Sequence, residues 1–456
     1  MLILRALAPS SAEHGSTRKL VVVMRAAVRL LLLPSVFGLA ACSTAPSQPA
    51  RGLELAGAPE PASAAPAARM SDMVTVSAAN LSNRPRAPMA GTAWTGNAGA
   101  PPSGQSGFSN NAAAMPAGGS GFTANAAALP PAQRAFAEEL AASRQLPLGA
   151  VVAALEQAQR NDTVLRLMAP PARAAGAPPP KRHWPGYRAR FVEPVRIRNG
   201  LRFWEDNAAA LARAEQATGV PAAVIVAILG VETVYGRNMG NFPVLDSLYT
   251  LAFHWPAHAS RDRSEYFRGE LAEYLAMTLG QGQPPRRLRG SYAGAIGIPQ
   301  FMPGSIRNFA VSARPGQPPD LVNSPDDAIA SVANYLLAHG WQRELPVFID
   351  ATLPGQPQSW VTGGLEPTLS WQDLQRAGAR PRGVPATAGL ISAPLVSPGS
   401  DPRVGMINLD YATGHTDHRI ATANFFAITH YNRSYFYATA VADLAAALEA
   451  QRKRPR

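Results

Sequence analysis

The stretch GVETVYG, residues 230–236, closes a long apolar run, VPAAVIVAILGVETVYG, and leaves one carboxylate, Glu232, at its end. An isolated charge in apolar surroundings is costly unless it is paired, protonated or put to use. Ile225, Ile228, Leu229 and Glu232 recur at steps of three and four, so they share one helical face that turns Glu232 toward the edge of a core. Burial raises a carboxyl pKa, and a carboxyl that keeps its proton near neutral pH suits general-acid chemistry on a glycosidic oxygen. The alternative is a structural glutamate paired with an arginine, such as Arg237. Helix position alone leaves both open.

A second constellation lies at 290–303, GSYAGAIGIPQFMP. Glycines and alanines in quick succession give tight turns and close backbone approach, leaving room for a ligand. Ser291 supplies a hydroxyl and Gln300 an amide among apolar residues, groups that suit sugar hydroxyls and N-acetyl groups. The stretch lacks the lysine of GxxxxGK[ST] and follows no strand of a βαβ unit, so it is not a phosphate cradle. A plain surface loop fits the same pattern. From 281 to 319 there is no Asp or Glu, so this loop offers no carboxylate nucleophile. Asp246, the nearest acid downstream of Glu232, reads as a cap or loop hydrogen bond. Glu265, Glu270 and Glu273 recur along a charged helix and read as a solvated face.

The elements that must position these residues are mostly helical. PAQRAFAEELAASRQL and LGAVVAALEQAQRNDTVLRLM have helical apolar spacing. LRFWEDNAAALARAEQATG reads as a helix that stops at Gly219, and the run that ends in Glu232 has Pro221 in its first turn. Further helices are expected at about 265–279, 303–312, 325–339 and 434–451. Strand-like runs, LPVFIDA and AGLISAPLV among them, fall between 345 and 410. The fold class is therefore α+β, mainly α, with a small β-containing insertion in one sizeable domain over 131–456.

The N-terminal part reads differently. Residues 24–42, MRAAVRLLLLPSVFGLAAC, combine Arg25 and Arg29 with an apolar stretch too short to span a membrane, which marks a secretory signal over 1–41 with Met24 as a candidate start. The ending LAAC is similar to the lipobox of bacterial lipoproteins, in which the cysteine is lipidated. Cys42 is the only cysteine of the chain and forms no internal disulfide. Ser43 then implies the outer membrane, on its periplasmic face. Residues 42–130 are rich in Pro, Ala, Gly and Ser and read as a disordered tether behind the lipidated cysteine.

The chain has 42 Lys+Arg against 30 Asp+Glu, and without residues 1–41 a net of +8 remains. That balance fits an acidic wall polymer or an anionic lipid surface, and solubility alone explains it equally well. Export and the absence of basic blocks alternating with aromatics exclude nucleic acid. No CxxC, HExxH or histidine cluster points to a metal, and no cofactor is implied.

Taken together, GVETVYG, GSYAGAIGIPQFMPGS, DAIASVANYLLAHGW at 327–341 and ITHYNRSYFY at 428–437 resemble the membrane-bound lytic murein transglycosylase B family. AQRNDTVLRLM, YRARFV and NGLRFW extend the likeness over about 131–450. The resemblance implies a lysozyme-like helical catalytic domain that cleaves the β-1,4 bond from N-acetylmuramic acid to N-acetylglucosamine in peptidoglycan glycan strands. It implies Glu232 as the sole acid/base and a 1,6-anhydromuramyl product. It also assigns glycan contacts to Ser291, Gln300, Tyr335, Tyr431, Asn432, Tyr437 and Tyr187. Arg263 and Tyr266 align with a family segment thought to meet muramyl or peptide acids, but HWPAHASRDRSEYF is longer here and has Asp262 in place of an arginine. Some members carry a calcium loop between QFMP and DAI. Here SARPGQPPDLVNSPDDA lacks its alternating carboxylates and central glycine, so no calcium is expected. The rival readings are a muramidase that admits water and a lipoprotein that binds the wall without cutting it.

Overall fold

The computed structural model describes residues 128–169, 182–256, 261–382, 392–393 and 401–453. The signal, Cys42 and the tether as far as 127 lie outside the described residues.

The described chain begins where the Pro/Ala-rich composition ends. Helices α1 (Pro131–Arg144), α2 (Leu148–Gln157) and α3 (Asp162–Met168) come first. The second and third were expected as one. Asn161 separates them, its side chain accepting the Thr163 and Val164 N–H groups as an N-cap. After α4 (Trp184–Arg188), α5 (Pro194–Asp206) and α6 (Ala208–Thr218) likewise split an expected single helix. Asn207 breaks it, with its side-chain amide bonding back to the Phe203 carbonyl at 2.8 Å. Helix α7 (Ala222–Thr233) ends in Glu232 and Thr233.

Strand β1 (Phe242–Pro243) leads into α8 (Val244–Phe253) and pairs with β2 (Arg289–Gly290), which follows α9 (Ser264–Gly280). Helices α10 (Pro303–Phe309) and α11 (Pro325–Ala338) come next. The insertion holds β3 (Phe348–Ile349), β4 (Ala351–Thr352), β5 (Leu369–Ser370), helix α12 (Trp371–Arg376), β6 (Arg380–Pro381), β7 (Ser392–Ala393), β8 (Arg403–Asp410) and β9 (Thr416–Thr422). Helices α13 (Ala423–Tyr431) and α14 (Tyr435–Arg452) close the chain. Strands thus run past 410, the limit expected from the sequence. The strand at 416–422, TDHRIAT, is mostly polar and lacks a clean alternation. It is held by full antiparallel pairing with β8 from Val404↔Thr422 to Asp410↔Thr416.

The core explains the architecture. One apolar cluster gathers α5, α6, α7, α11, α13 and α14. A second gathers α1–α3, α8 and α9. The Gly-rich loop runs from one to the other: Tyr292, Ala293 and Ile296 belong to the second, Ile298 and Phe301 to the first. The five-stranded sheet runs in the order β5-β8-β9-β3-β7, and its centre is covered on both faces. Ile407, Leu409 and Phe348 face the first helical cluster, while Met406, Val404 and Ile349 face α12 through Trp371 and Leu374. That two-sided cover is why LPVFIDA, which holds β3, reads as an apolar run. Among the described residues no single helix is long and apolar enough to cross a membrane.

Candidate active site

Helix α7 is buried on every side, with each residue from Ala222 to Val231 nearly inaccessible. The stripe read from the sequence therefore does not by itself aim Glu232; the helix end does. Val234 and Tyr235 both take left-handed backbone conformations (φ 52° and 62°), and their N–H groups return to the Gly230 and Leu229 carbonyls. A β-branched residue rarely adopts that conformation. Thr233 ties this strained turn to the Gly-rich loop, its hydroxyl donating to the Ile298 carbonyl at 2.8 Å and accepting the Gly236 N–H at 2.9 Å. The Tyr235 side chain folds back over α5 and α7 and donates to the Arg196 carbonyl at 3.1 Å.

The Glu232 carboxyl, half-buried, receives one hydrogen bond from protein, from the Tyr437 hydroxyl to Oε1 at 2.5 Å. Desolvation pushes its pKa up to about 7, and the Tyr437 bond only partly offsets that. Arg237 is exposed and forms no ion pair with it, so the structural-pair alternative fails. Around the carboxyl stand tyrosines that burial keeps as neutral phenols: Tyr335, Tyr431 and Tyr437. Tyr431 stacks nearly parallel to Tyr437, with ring centroids 6.5 Å apart, and donates to the Pro299 carbonyl at 2.8 Å. Tyr335 donates to the His430 carbonyl at 2.8 Å and stacks on His339. A carboxyl with a pKa near neutrality in such a place can both give and take a proton at physiological pH.

The other expected site residues divide. Gln300 is half-buried at φ 53°, and its Nε2 donates to the Met239 and Gly297 carbonyls, which leaves the amide oxygen for a ligand. Gly297 supports this turn from a position where a Cβ would lie 2.3 Å from the Leu321 carbonyl oxygen. Tyr187 packs against Trp184, Phe191 and Phe436 and lies within electrostatic reach of Tyr437. Tyr266 lies within the same reach of Tyr335, and the Arg263 guanidinium sits 5.0 Å from its ring centroid. Asn432 is buried at the end of α13.

Two expectations change. Ser291 is buried, and its hydroxyl accepts the Ala295 N–H at 3.0 Å, so it builds the loop instead of lining it. Tyr437 is wholly inaccessible, so it meets Glu232 and not a sugar face. Of the acids set aside in the sequence, Asp246 is buried against Arg286 and the Gln159 N–H, in keeping with a structural role. Glu270 departs from the solvated face expected of it: it is half-buried and takes hydrogen bonds from Tyr266 and the Gly304 N–H. No sequence signal marks that contact except its i,i+4 spacing from Tyr266.

Among the described residues no group of three or more His, Cys, Asp or Glu could hold a metal ion. The segment 312–328 does not fit calcium. Asp327 is fully buried with its two oxygens on the Ala313 and Asp320 N–H groups, and Asp320 accepts the Val322 and Asn323 N–H groups. These carboxylates point at amide donors and do not converge on a cation.

Comparisons with known proteins give the family. Residues 130–446 match the family described as "Transglycosylase SLT domain". The chain is 39% identical over 299 residues to membrane-bound lytic murein transglycosylase B of Escherichia coli (strain K12), covering 64% of this chain and 76% of that protein. The fold is similar to soluble lytic transglycosylase SltB1 from Pseudomonas aeruginosa, with a TM-score of 0.61 and 34% identity over 71% of this chain and 100% of that one. It is also similar to the Escherichia coli lytic transglycosylase Slt35 in complex with bulgecin A, with a TM-score of 0.59 and 37% identity over 71% and 94%. SltB3 from Pseudomonas aeruginosa in complex with NAG-anhNAM-pentapeptide matches with a TM-score of 0.55 and 29% identity over 69% and 77%. With a lone sheltered carboxyl set in a wall of tyrosines and these likenesses over most of its length, this chain belongs to the lytic transglycosylases of the SLT-domain family.

Proposed function

We propose that this protein cleaves the N-acetylmuramic acid–β-1,4–N-acetylglucosamine bond of peptidoglycan and leaves a 1,6-anhydromuramyl end, with Glu232 as its single acid/base. The observation that carries the reading is the Glu232 carboxyl itself, pushed to about pKa 7 by burial and, among the described residues, touched by no second carboxylate. Most glycosidases need two carboxylates, one of them to act as nucleophile or to activate water. Here one group does both proton transfers. Neutral Glu232 gives its proton to the glycosidic oxygen as the C1–O bond breaks, and the bonding pair leaves with that oxygen. The substrate's own N-acetyl oxygen steadies the positive C1. The muramyl C6 hydroxyl then attacks C1, and its proton passes to the Glu232 carboxylate. The carboxyl is restored, and no water is consumed.

Tyr437 orients the carboxyl. Gln300, Tyr431, Tyr187, Tyr266 and Arg263 are half-buried and would meet the glycan, with buried Tyr335 and Asn432 as supporting contacts. Flat phenol rings suit sugar faces while their hydroxyls stay hydrogen-bonded. The Arg263 cation suits an acidic group of the muramyl unit or its peptide. The relative in Escherichia coli is named as membrane-bound. In this chain Cys42 would carry the lipid that anchors the enzyme to the periplasmic face of the outer membrane, with the Pro/Ala-rich segment as its tether. The experiment is a digestion of purified peptidoglycan by wild-type and Glu232→Gln protein. Wild type is expected to release muropeptides with anhydro ends, and Glu232→Gln none. Release by Glu232→Gln at the wild-type rate would refute the assignment.

A further inference from the structure

Three acids lie along α9, and two of them answer to arginines. Glu265 pairs with Arg268, and Glu273 with Arg144 and Arg307. Glu270 takes neutral donors instead. Its carboxylate accepts the Gly304 N–H at 2.8 Å and the Tyr266 hydroxyl. Tyr266 precedes it by one helical turn, so this second tie runs along the helix face. Gly304 lies in the first turn of α10, four residues beyond Gln300. Glu270 therefore fastens the Tyr266 phenol to the segment that continues from the Gly-rich loop. A Cβ at position 304 would stand 3.3 Å from both carboxylate oxygens, so glycine leaves the approach relaxed.

Tyr266 also carries a cation. The Arg263 guanidinium lies 5.0 Å from its ring centroid and 5.3 Å from that of Phe267. A ring face steadies a guanidinium only while the ring keeps its orientation. On the other side Tyr266 lies within electrostatic reach of Tyr335, which lies within that of Glu232. The order Glu270, Tyr266, Tyr335, Glu232 runs from α9 to the reacting carboxyl.

We propose that Glu270 is a positioning residue for substrate binding: by holding Tyr266 against the start of α10, it fixes the ring that presents Arg263 to the glycan or its acidic peptide. The proposal rests on the glycan reading of the site given above. Glu270 takes no part in proton transfer. Its removal leaves two sheltered donors without their acceptor and frees the ring. The loss then falls on binding shared by ground and transition states, which raises KM and leaves kcat.

The test uses a disaccharide-peptide dimer released from peptidoglycan, titrated calorimetrically into Glu232→Gln protein, which is expected to bind it without turnover. Adding Glu270→Ala is expected to weaken its Kd about tenfold, or about 1.4 kcal/mol. In the active enzyme Glu270→Ala is expected to raise KM by a similar factor with kcat within about twofold. Glu270→Gln, whose carbonyl keeps one acceptor, should recover part of the loss. Tyr266→Phe should reproduce Glu270→Ala, and the double variant should lose nothing further. The proposal is overturned if Glu270→Ala lowers kcat at constant KM, if it lowers only the melting temperature, or if the two losses add in full. Should Glu270→Ala not fold, Tyr266→Phe, which keeps the ring, decides by the same KM-against-kcat split. If the fragment fails to bind the Glu232→Gln parent at all, the glycan reading falls, and this proposal with it.

Discussion

The Tyr437 hydroxyl donates to Glu232 Oε1 at 2.5 Å, across 205 residues of chain. Helix α14 thus supplies the hydrogen bond that orients a carboxyl at the end of α7. The bond favours the ionised form, while burial favours the neutral form and wins.

Activity should follow that balance. The first step needs protonated Glu232, so kcat/KM is expected to be high below pH about 7 and to fall tenfold per pH unit above it. A pH–rate profile on a soluble fragment checks this. A limb near pH 4.5, the ordinary carboxyl range, would contradict it.

Tyr437→Phe removes the bond that favours the carboxylate. The alkaline limb should move to higher pH, while turnover falls about tenfold as the carboxyl loses its orientation. The same profile reads both. An alkaline limb that stayed in place would mean that the hydroxyl does not act on Glu232.

Stability should show the same group from the other side. The folded pKa of about 7 lies above the ordinary 4.5. Between those values the unfolded chain gives up its proton first, so this group's contribution falls as pH rises. Above about 7 the whole penalty stands, roughly 3 kcal/mol, and below 4.5 it vanishes. Glu232→Gln cannot ionise. Urea unfolding should find it more stable than wild type at pH 8 by up to that amount and equal to it at pH 4. Equal stability at both would place the carboxyl in water.

Gly230→Ala tests the strained turn. A Cβ there would lie 2.5 Å from the Tyr235 hydroxyl oxygen and 2.7 Å from its Cζ. Tyr235 must move, and the left-handed turn beside Glu232 moves with it. Overpacking of this kind costs on the order of 1–3 kcal/mol. Urea unfolding should show that loss together with reduced turnover. A neutral Gly230→Ala would mean that the turn does not hold the carboxyl.

Ser291→Ala separates loop building from substrate contact. Loss of the acceptor for the Ala295 N–H is expected to cost about 1 kcal/mol of stability. Fragment affinity should change less than it does in a Gln300→Ala variant. Calorimetric titration of both decides, and an unchanged stability with a large affinity loss would return Ser291 to the glycan.

Much of this was legible in the sequence. The carboxylate closing an apolar run, the Gly-rich loop and the order of the helices all follow from local spacing. The helix breaks at Asn161 and Asn207 were missed because a side-chain hydrogen bond makes each of them, with no change in apolar periodicity. The polar strand at 416–422 escaped notice because its partner strand holds it. The face of α7 that Glu232 occupies could not be read from a helix buried all round. Glu270 looked like one more charge on a wet face, because Gly304, 34 residues away, is what gives it an acceptor's role.

The most direct measurement is digestion of purified peptidoglycan in oxygen-18 water, with mass spectrometry of the soluble products. Attack by the muramyl C6 hydroxyl requires unlabelled anhydro ends, each one water lighter than the reducing form. One heavy oxygen per cut bond would show that water is the nucleophile, and a mechanism with Glu232 as lone acid/base and no water would be wrong.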